Sequence, residues 1–489
     1  MELVNYKLIL LVKSLTSKEV EQFMKFISSP YFTKGRNYVP FLKEVIRLIS
    51  ANDNNKKNYK EFTRKSSESG TGKKLREQTL RNRYSELYKL GEEFLIYNSL
   101  SKNKNEKEKI LLNELIDKKL FIPFSIKYRE TLKRLNNDKF DNNKFRNISV
   151  ITELNSRFLL ERNKIEQVYS EFYRYSEIIL CLNLINFFEL GYEFSQQEYD
   201  SRKFEPNYIL DFLRRIDIED IMETFSKIDS IIYKITSMNY YLYRAFEKEE
   251  NEDYYFKSHK IFSELFAELK DSYKVKIFNH MINFSIRKQN KGIKKYQYEL
   301  FKLYNEKLNQ KLISDIKSNV YVFNYFRDYV HIGISIKEYE WVENFISKYS
   351  HDLPKEMRED EIKLSYAKLD LAKRRFQRSL SNLSNIKTTY YLPYTDSSII
   401  KLCNYYELKN FEDAYFEIDR LKHYLRNHKE IPLDYKHTTD NFIKVYQKIL
   451  KQQTNPERDE IGFIEKDLMS LSFIAKKDWL IEKIGELRN

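Results

Sequence analysis

Only 9 glycines and 8 prolines punctuate the 489 residues, and that scarcity constrains the fold more than any single motif. Tight hairpins need Gly, Asn or Pro at defined turn positions, so a sheet protein of this length would use many more of them. The chain therefore reads as all-α, with helices joined by short connections. Length permits two to four ordinary domains, or one repeat array that grows without a single centre. With seven alanines against 39 tyrosines and 34 phenylalanines, the contacts between helices must be filled by rings and by Leu and Ile.

Residues 1–100 read as a basic N-terminal helical module. Apolar periodicity covers Leu3 to Leu15, and in "LTSKEVEQFMKFISSPYF" Thr16 or Ser17 can cap a helix that has Glu19 or Glu21 in its first turn. Phe23, Phe26 and Ile27 fall on one face of that helix and Pro30 ends it. Helices are expected over Val39 to Ile49 and near Tyr59 to Arg64, followed by the loop "SSESGTG". A long helix then starts at Lys74, with Leu75, Leu80, Tyr84, Leu87, Leu90 and Leu95 as its apolar stripe. The polar run at 101–109, "SKNKNEKEK", reads as a linker, and residues 110–489 read as successive helical pairs.

The pairing is clearest at 320–425. "YEWVENFISKY" from Tyr339, "FQRSLSNLSNI" from Phe376 and "FEDAYFEIDRL" from Phe411 align without gaps, their starts 37 and 35 residues apart. Each opens on an aromatic, with Val342, Ser379 or Ala414 three residues on and Ile346, Leu383 or Ile418 seven on. Each follows another helical stretch, centred near Tyr329/Val330, Tyr366/Ala367 and Leu402/Tyr405. This period and pattern resemble the tetratricopeptide repeat, a helix-turn-helix unit of about 34 residues. "FNHMINFSIRKQNKGIKKYQYELFKLY" resembles a more divergent copy that turns near Gly292. The resemblance implies a TPR-like helical-hairpin solenoid behind the N-terminal module, although the small second-helix residue is Ala at only one of the three positions. "FMKFISSPYF", "KLCNYYELKNFEDAY" and "IAKKDWLIEKIGEL" are also similar to stretches of a group of long uncharacterised bacterial proteins of the same layout. That likeness implies no activity and no site residues.

Charge is uneven along the chain. Residues 1–150 hold 32 Lys and Arg against 18 Asp and Glu, whereas the remaining residues hold 54 of each. An N-terminal module with a preference for anions is the natural reading. Lys73, Lys74, Arg76, Arg81 and Arg83 near Tyr84 are the candidate contacts for an anion or nucleic acid, without a recognition-helix signature. Cys181 and Cys403 stand alone in apolar stretches, which suits buried reduced thiols and a cytoplasmic protein. The longest uncharged apolar stretch, Ile178 to Phe188, falls short of the roughly 20 residues of a membrane helix, and no signal peptide or membrane partner is expected.

Catalytic chemistry is harder to find. "SESGTGKK" has Ser67 where a phosphate-binding loop needs its first glycine and Lys74 where it needs Ser or Thr. His423 and His428 are five apart and diverge on a helix, so neither a metal site nor a thiol-imidazole pair can be read. Lys and Arg interleave the acidic runs "KEMREDEIK" and "YYELKNFEDAYFEID", so both read as solvated helix faces rather than as a general acid and base. On a helical wheel Ala414, Tyr415, Ile418, Leu421 and Leu425 form the core face of the second run, with Lys409–Asp413 and Glu417–Arg420 as modest surface pairs. Phe416 and Trp341 lie off the apolar stripes of their helices and are the candidate partner contacts.

The expectation is thus a scaffold without enzymatic activity or cofactor, binding a protein or peptide through its helical-repeat surface. The alternative is a nucleic-acid-associated regulator working through residues 1–150.

Overall fold

A computed structural model describes residues 2–33, 35–51, 77–199, 208–312, 319–384, 386, 390–454, 461–471 and 473–488. Every regular element among them is a helix, so the fold is all-α. In chain order these are α1 (Glu2–Ser14), α2 (Ser17–Ser28), α3 (Pro30–Thr33), α4 (Val39–Ala51), α5 (Glu77–Lys102), α6 (Lys104–Asp117), α7 (Phe121–Asn137), α8 (Asn142–Glu161) and α9 (Ile165–Tyr199). There follow α10 (Tyr208–Arg215), α11 (Glu219–Lys227), α12 (Ile231–Glu247), α13 (Asp253–Leu265), α14 (Asp271–Asn290), α15 (Lys295–Asn309), α16 (Asn319–Ser335), α17 (Tyr339–Tyr349) and α18 (Lys355–Ala372). The last are α19 (Phe376–Leu383), α20 (Tyr391–Glu407), α21 (Phe411–Asn427), α22 (Leu433–Thr454), α23 (Ile461–Ser470) and α24 (Lys477–Leu487). The chain divides into two compact units, Met1–Leu182 and Asn183–Asn489.

In the first unit, the Thr16 hydroxyl accepts from the Glu19 N–H at 3.3 Å while the Glu19 carboxylate accepts from the Thr16 N–H at 3.1 Å. This reciprocal cap starts α2, whose Phe23, Phe26 and Ile27 are buried against Leu80, Tyr84, Leu87, Leu90 and Phe94 of α5 and residues of α1 and α4. Leu95, expected in the α5 stripe, is instead exposed, because Phe94 fills the core position beside Phe23 at 5.1 Å. The expected linker at 101–109 is helical on both sides of Asn103, whose side chain accepts from the Glu106 N–H and caps α6. The helix expected near Tyr59 and the loop "SSESGTG" lie outside the described residues.

One helix among the described residues, α9, is long and apolar enough to cross a membrane by length and composition. Ile185, Phe188 and Tyr192 in its second half are buried in the second unit, where Phe188 meets Tyr240 edge-on at 5.2 Å. Glu189 beside them is buried too and pairs with Lys276 at 2.8 Å.

The second unit shows how a glycine-poor chain turns between helices. After α16, α18 and α20 the chain reverses through Lys337, Arg374 and Lys409, each at positive φ of 66°, 57° and 56°. The N–H after each turn residue reaches back to a carbonyl five residues earlier: Glu338 to Gly333 at 2.9 Å, Arg375 to Asp370 at 2.8 Å and Asn410 to Tyr405 at 2.8 Å. Helices often end in this way, with glycine at the left-handed position because a Cβ there costs roughly 1 kcal/mol or more. The second helices α17, α19 and α21 begin two residues later in each case, and their aligned Val342, Ser379 and Ala414 are all fully buried. Ile346, Leu383 and Ile418 are buried as well. Gly333 is glycine for packing: a Cβ there would meet Val342 Cγ2 at 2.5 Å.

Lys337 and Lys409 hold no side-chain hydrogen bond or ion pair among the described residues. Lys337→Gly and Lys409→Gly should therefore each raise the unfolding free energy by about 0.5–1 kcal/mol. Equilibrium urea denaturation measures this, and a loss of stability in both variants would contradict the turn assignment.

Candidate functional site

The 37- and 35-residue intervals also place residues of the first helices in register. Asn324, Glu361 and Asp396 occupy one position of α16, α18 and α20, and His331, Lys368 and Cys403 occupy another two turns further on. Helix α18 packs against both α16 and α20, so polar side chains from all three converge.

At the centre is Asp396. Its Oδ2 accepts from the Arg327 guanidinium and from Lys368 Nζ at 2.7 Å, and its Oδ1 accepts from the Tyr435 hydroxyl at 3.2 Å. Tyr435 and Thr395 share a further hydroxyl contact at 2.7 Å. Burial opposes the Asp396 charge, but Arg327 and Lys368 outweigh it and hold the carboxyl well below its ordinary range. Glu361 is the counter-example. It is fully buried, and among the described residues neither carboxyl oxygen accepts a hydrogen bond and the one cation in ion-pair range is Arg327, with Nε at 3.8 Å. Desolvation dominates there and pushes the acid upward. The run "KEMREDEIK" is therefore not a solvated face throughout, because its Glu361 points into the protein.

A groove of about 490 Å³ opens beside this cluster, lined by His331, Lys368, Asp396, Ile400, Lys476 and Trp479 among others. His331 is exposed to the groove yet walled by protein. Limited hydration, then Lys476 and Lys368, hold its imidazole below the ordinary histidine value, so the ring is neutral at pH 7. Helix α24 forms one wall. Trp479 Nε1 donates to Glu407 Oε1 at 2.8 Å, Lys483 pairs with Glu407 at 2.8 Å, and Arg374 pairs with Glu482 at 2.7 Å. A second recess of about 240 Å³ lies between α16 and α14, lined from α16 by Asn324 and Asp328.

The acidic stretch at 405–419 departs from its wheel. Tyr415 is exposed rather than in the core, and Glu417 takes a buried position that it holds by pairing with Arg420 at 2.7 Å. Arg420 lies 5.7 Å over the Tyr394 ring, which itself stacks on Tyr424 at 3.8 Å. Asp413 accepts from Asn410 rather than pairing with Lys409.

The two off-stripe rings part company. Trp341 is half-buried, parallel to Phe345 at 5.3 Å and edge-on to Phe301 of α15 at 5.0 Å. Phe416 is 67 % exposed and meets no other ring among the described residues. Of the basic candidates, Lys73, Lys74 and Arg76 lie outside the described residues. Arg81 is exposed and engaged, while Arg83 is half-buried and close to Glu86, two positions that point to different sides of α5. Cys181 and Cys403 are buried and form no disulfide among the described residues, and burial pushes the Cys403 thiol up to about 12. Among the described residues no group of three or more His, Cys, Asp and Glu is arranged to hold a metal ion.

No protein-family model, curated protein or solved structure matches the chain.

The two acids should separate on substitution. Asp396→Asn removes the carboxylate that both Arg327 and Lys368 bond, leaving among the described residues only the more distant Glu361 in ion-pair range, and should cost about 3 kcal/mol or more, while Glu361→Gln should be neutral or stabilising at pH 7. The pH dependence has opposite signs. The stability that Asp396 contributes is present above its unfolded pKa and is lost as pH falls toward its depressed folded value. Glu361 has a raised folded pKa, so its burial weakens the fold as pH rises through that value. Urea titrations from pH 2 to 8 on the wild type and both variants check this; a stabilised Asp396→Asn protein would refute the assignment. A second check uses the rings: Trp341→Ala should cost about 3 kcal/mol or more, and Phe416→Ala less than about 0.5 kcal/mol.

Proposed function

We propose that the protein is a non-enzymatic scaffold whose hairpins stack as a TPR-like solenoid and bind a protein or peptide partner along the groove side of α16, α18 and α20. The observation that carries this reading is the in-register polar stripe opening into a groove of about 490 Å³ with an accessible neutral His331 on its wall. Hairpins that cannot each bury an apolar face stack into a continuous core and leave such surfaces for partners. The ionisable groups beside the groove are mostly engaged with each other, Lys368 with Asp396 and Glu407 with Lys483, which suits a rigid docking wall more than proton transfer. Phe416, exposed on α21, is a candidate contact at a distance from the groove lining. Two buried thiols outside any disulfide suit a cytoplasmic setting, and buried Glu189 paired with half-buried Lys276 suits a helix α9 packed in protein rather than lipid.

The excess of 32 basic over 18 acidic residues in 1–150 supports a second reading, a regulator that contacts nucleic acid through that region.

Affinity capture with the full chain from its native organism, followed by mass spectrometry, separates the two. One stoichiometric protein partner, kept through nuclease treatment and lost with the His331→Glu variant, is the expected result. Recovery that disappears with nuclease and weakens at higher salt would favour the regulator, and the absence of any stoichiometric partner would overturn the scaffold.

A further inference from the structure

We propose that the recess between α14 and α16 receives the main chain of an extended peptide, with the amides of Asn279, Asn283 and Asn324 as hydrogen-bonding partners and the Asp328 carboxylate as the contact for a cationic side chain. This rests on the peptide-binding reading above and adds the recognition chemistry.

The recess holds about 240 Å³ and is lined by Asn279 and Asn283, one turn apart on α14, and by Asn324 and Asp328, one turn apart on α16. Ile282 and Ile286 form its apolar part. A carboxamide carries both a donor and an acceptor, as a peptide group does, so a row of them can pair with a backbone irrespective of its side chains. Asn283 and Asn324 make no hydrogen bond among the described residues, and Asn324 is exposed.

Asn279 is held in one orientation. Its Oδ1 accepts from Lys307 Nζ at 2.9 Å and from the Tyr325 hydroxyl at 2.9 Å, and Lys307 also donates to that hydroxyl at 3.0 Å. An ammonium only donates, so the amide oxygen must face Lys307 and the NH2 group turns away from it, on a residue that lines the recess. Lys307 is fully buried with no carboxylate in ion-pair range among the described residues, and burial pushes its pKa down to about 8. Keeping an ammonium there costs free energy, and what the protein gains in return is one fixed amide.

Asp328 completes the set. The residue is exposed and lines the recess, forms no hydrogen bond or ion pair among the described residues, and its carboxyl is raised to about 6 by limited hydration, against the opposing pull of Arg327 and Lys368. A lysine or arginine side chain would supply the missing partner. An anion would be repelled by it, and a purely apolar helix face would leave the amides without partners.

The test selects peptides from a random-sequence dodecapeptide phage library on the full-length protein, then measures synthetic fluorescent copies by anisotropy. Asn283→Ala with Asn324→Ala should weaken the selected peptides by roughly tenfold or more, and N-methylation of one internal peptide amide should do the same. Asp328→Asn should weaken peptides containing Lys but not their norleucine analogues. Circular dichroism should be unchanged, since both asparagines make no internal bond among the described residues. Peptides indifferent to the asparagine changes and to N-methylation overturn the inference, and if they are lost with His331→Glu the scaffold reading survives without it. Failure to enrich any peptide overturns both.

Discussion

The described part of the second unit depends most on one largely enclosed ion cluster at the groove wall, in which Asp396 of α20 is clasped by Arg327 of α16 and Lys368 of α18. A lone carboxylate at that depth would be driven to its neutral form, and lone cations would be equally costly. Three helices from three successive hairpins must therefore stay together for any of the charges to be tolerable. The Tyr435 hydroxyl adds the N-terminal turn of α22 to the same centre. Buried pairs of this kind contribute little net stability compared with apolar packing, but they penalise wrong neighbours heavily. That suits an array whose apolar faces, built from interchangeable Leu, Ile and Phe, would otherwise pack in several registers.

The repeated turn supplies the second constraint. Each reversal after α16, α18 and α20 uses the same left-handed residue and the same back-reaching hydrogen bond, although Lys or Arg stands where glycine is easier. The strain is small beside the burial that follows, since Val342, Ser379 and Ala414 can enter the interior only if the second helix starts two residues after the turn. The groove is a consequence. First helices spaced by such hairpins bring Asn324, Glu361 and Asp396 into one row, and α24, tied by Trp479 to Glu407 and by Glu482 to Arg374, forms a wall beside them.

Much of the helical framework could be read in advance, and little of the site could. Thr16 and Glu19 form a local capping signal, so their pairing was legible from four residues of sequence. The aligned positions of the three hairpins were legible because burial repeats whenever a repeat length does. Glu361 and Glu417 were misread as wet because helix position alone does not say which face another helix covers. Trp341 looked out of place on its own helix only because Phe301 comes from a different one. The spacing that aligns the second helices also pairs Glu361 with Asp396, a signal present in the sequence whose meaning depends on knowing that both face the same neighbours.

The sequence by itself determined the all-α class, the helix starts that carry local caps, and the interval of the hairpins, since these follow from scarce turn residues, short-range hydrogen bonds and periodic apolar side chains. Only the tertiary structure decided which acids are buried, which ring stays exposed and where the amides of α14 face those of α16. Those outcomes depend on desolvation and on distances between side chains remote in the chain, and both are set by the packing of helices against one another rather than by any one helix.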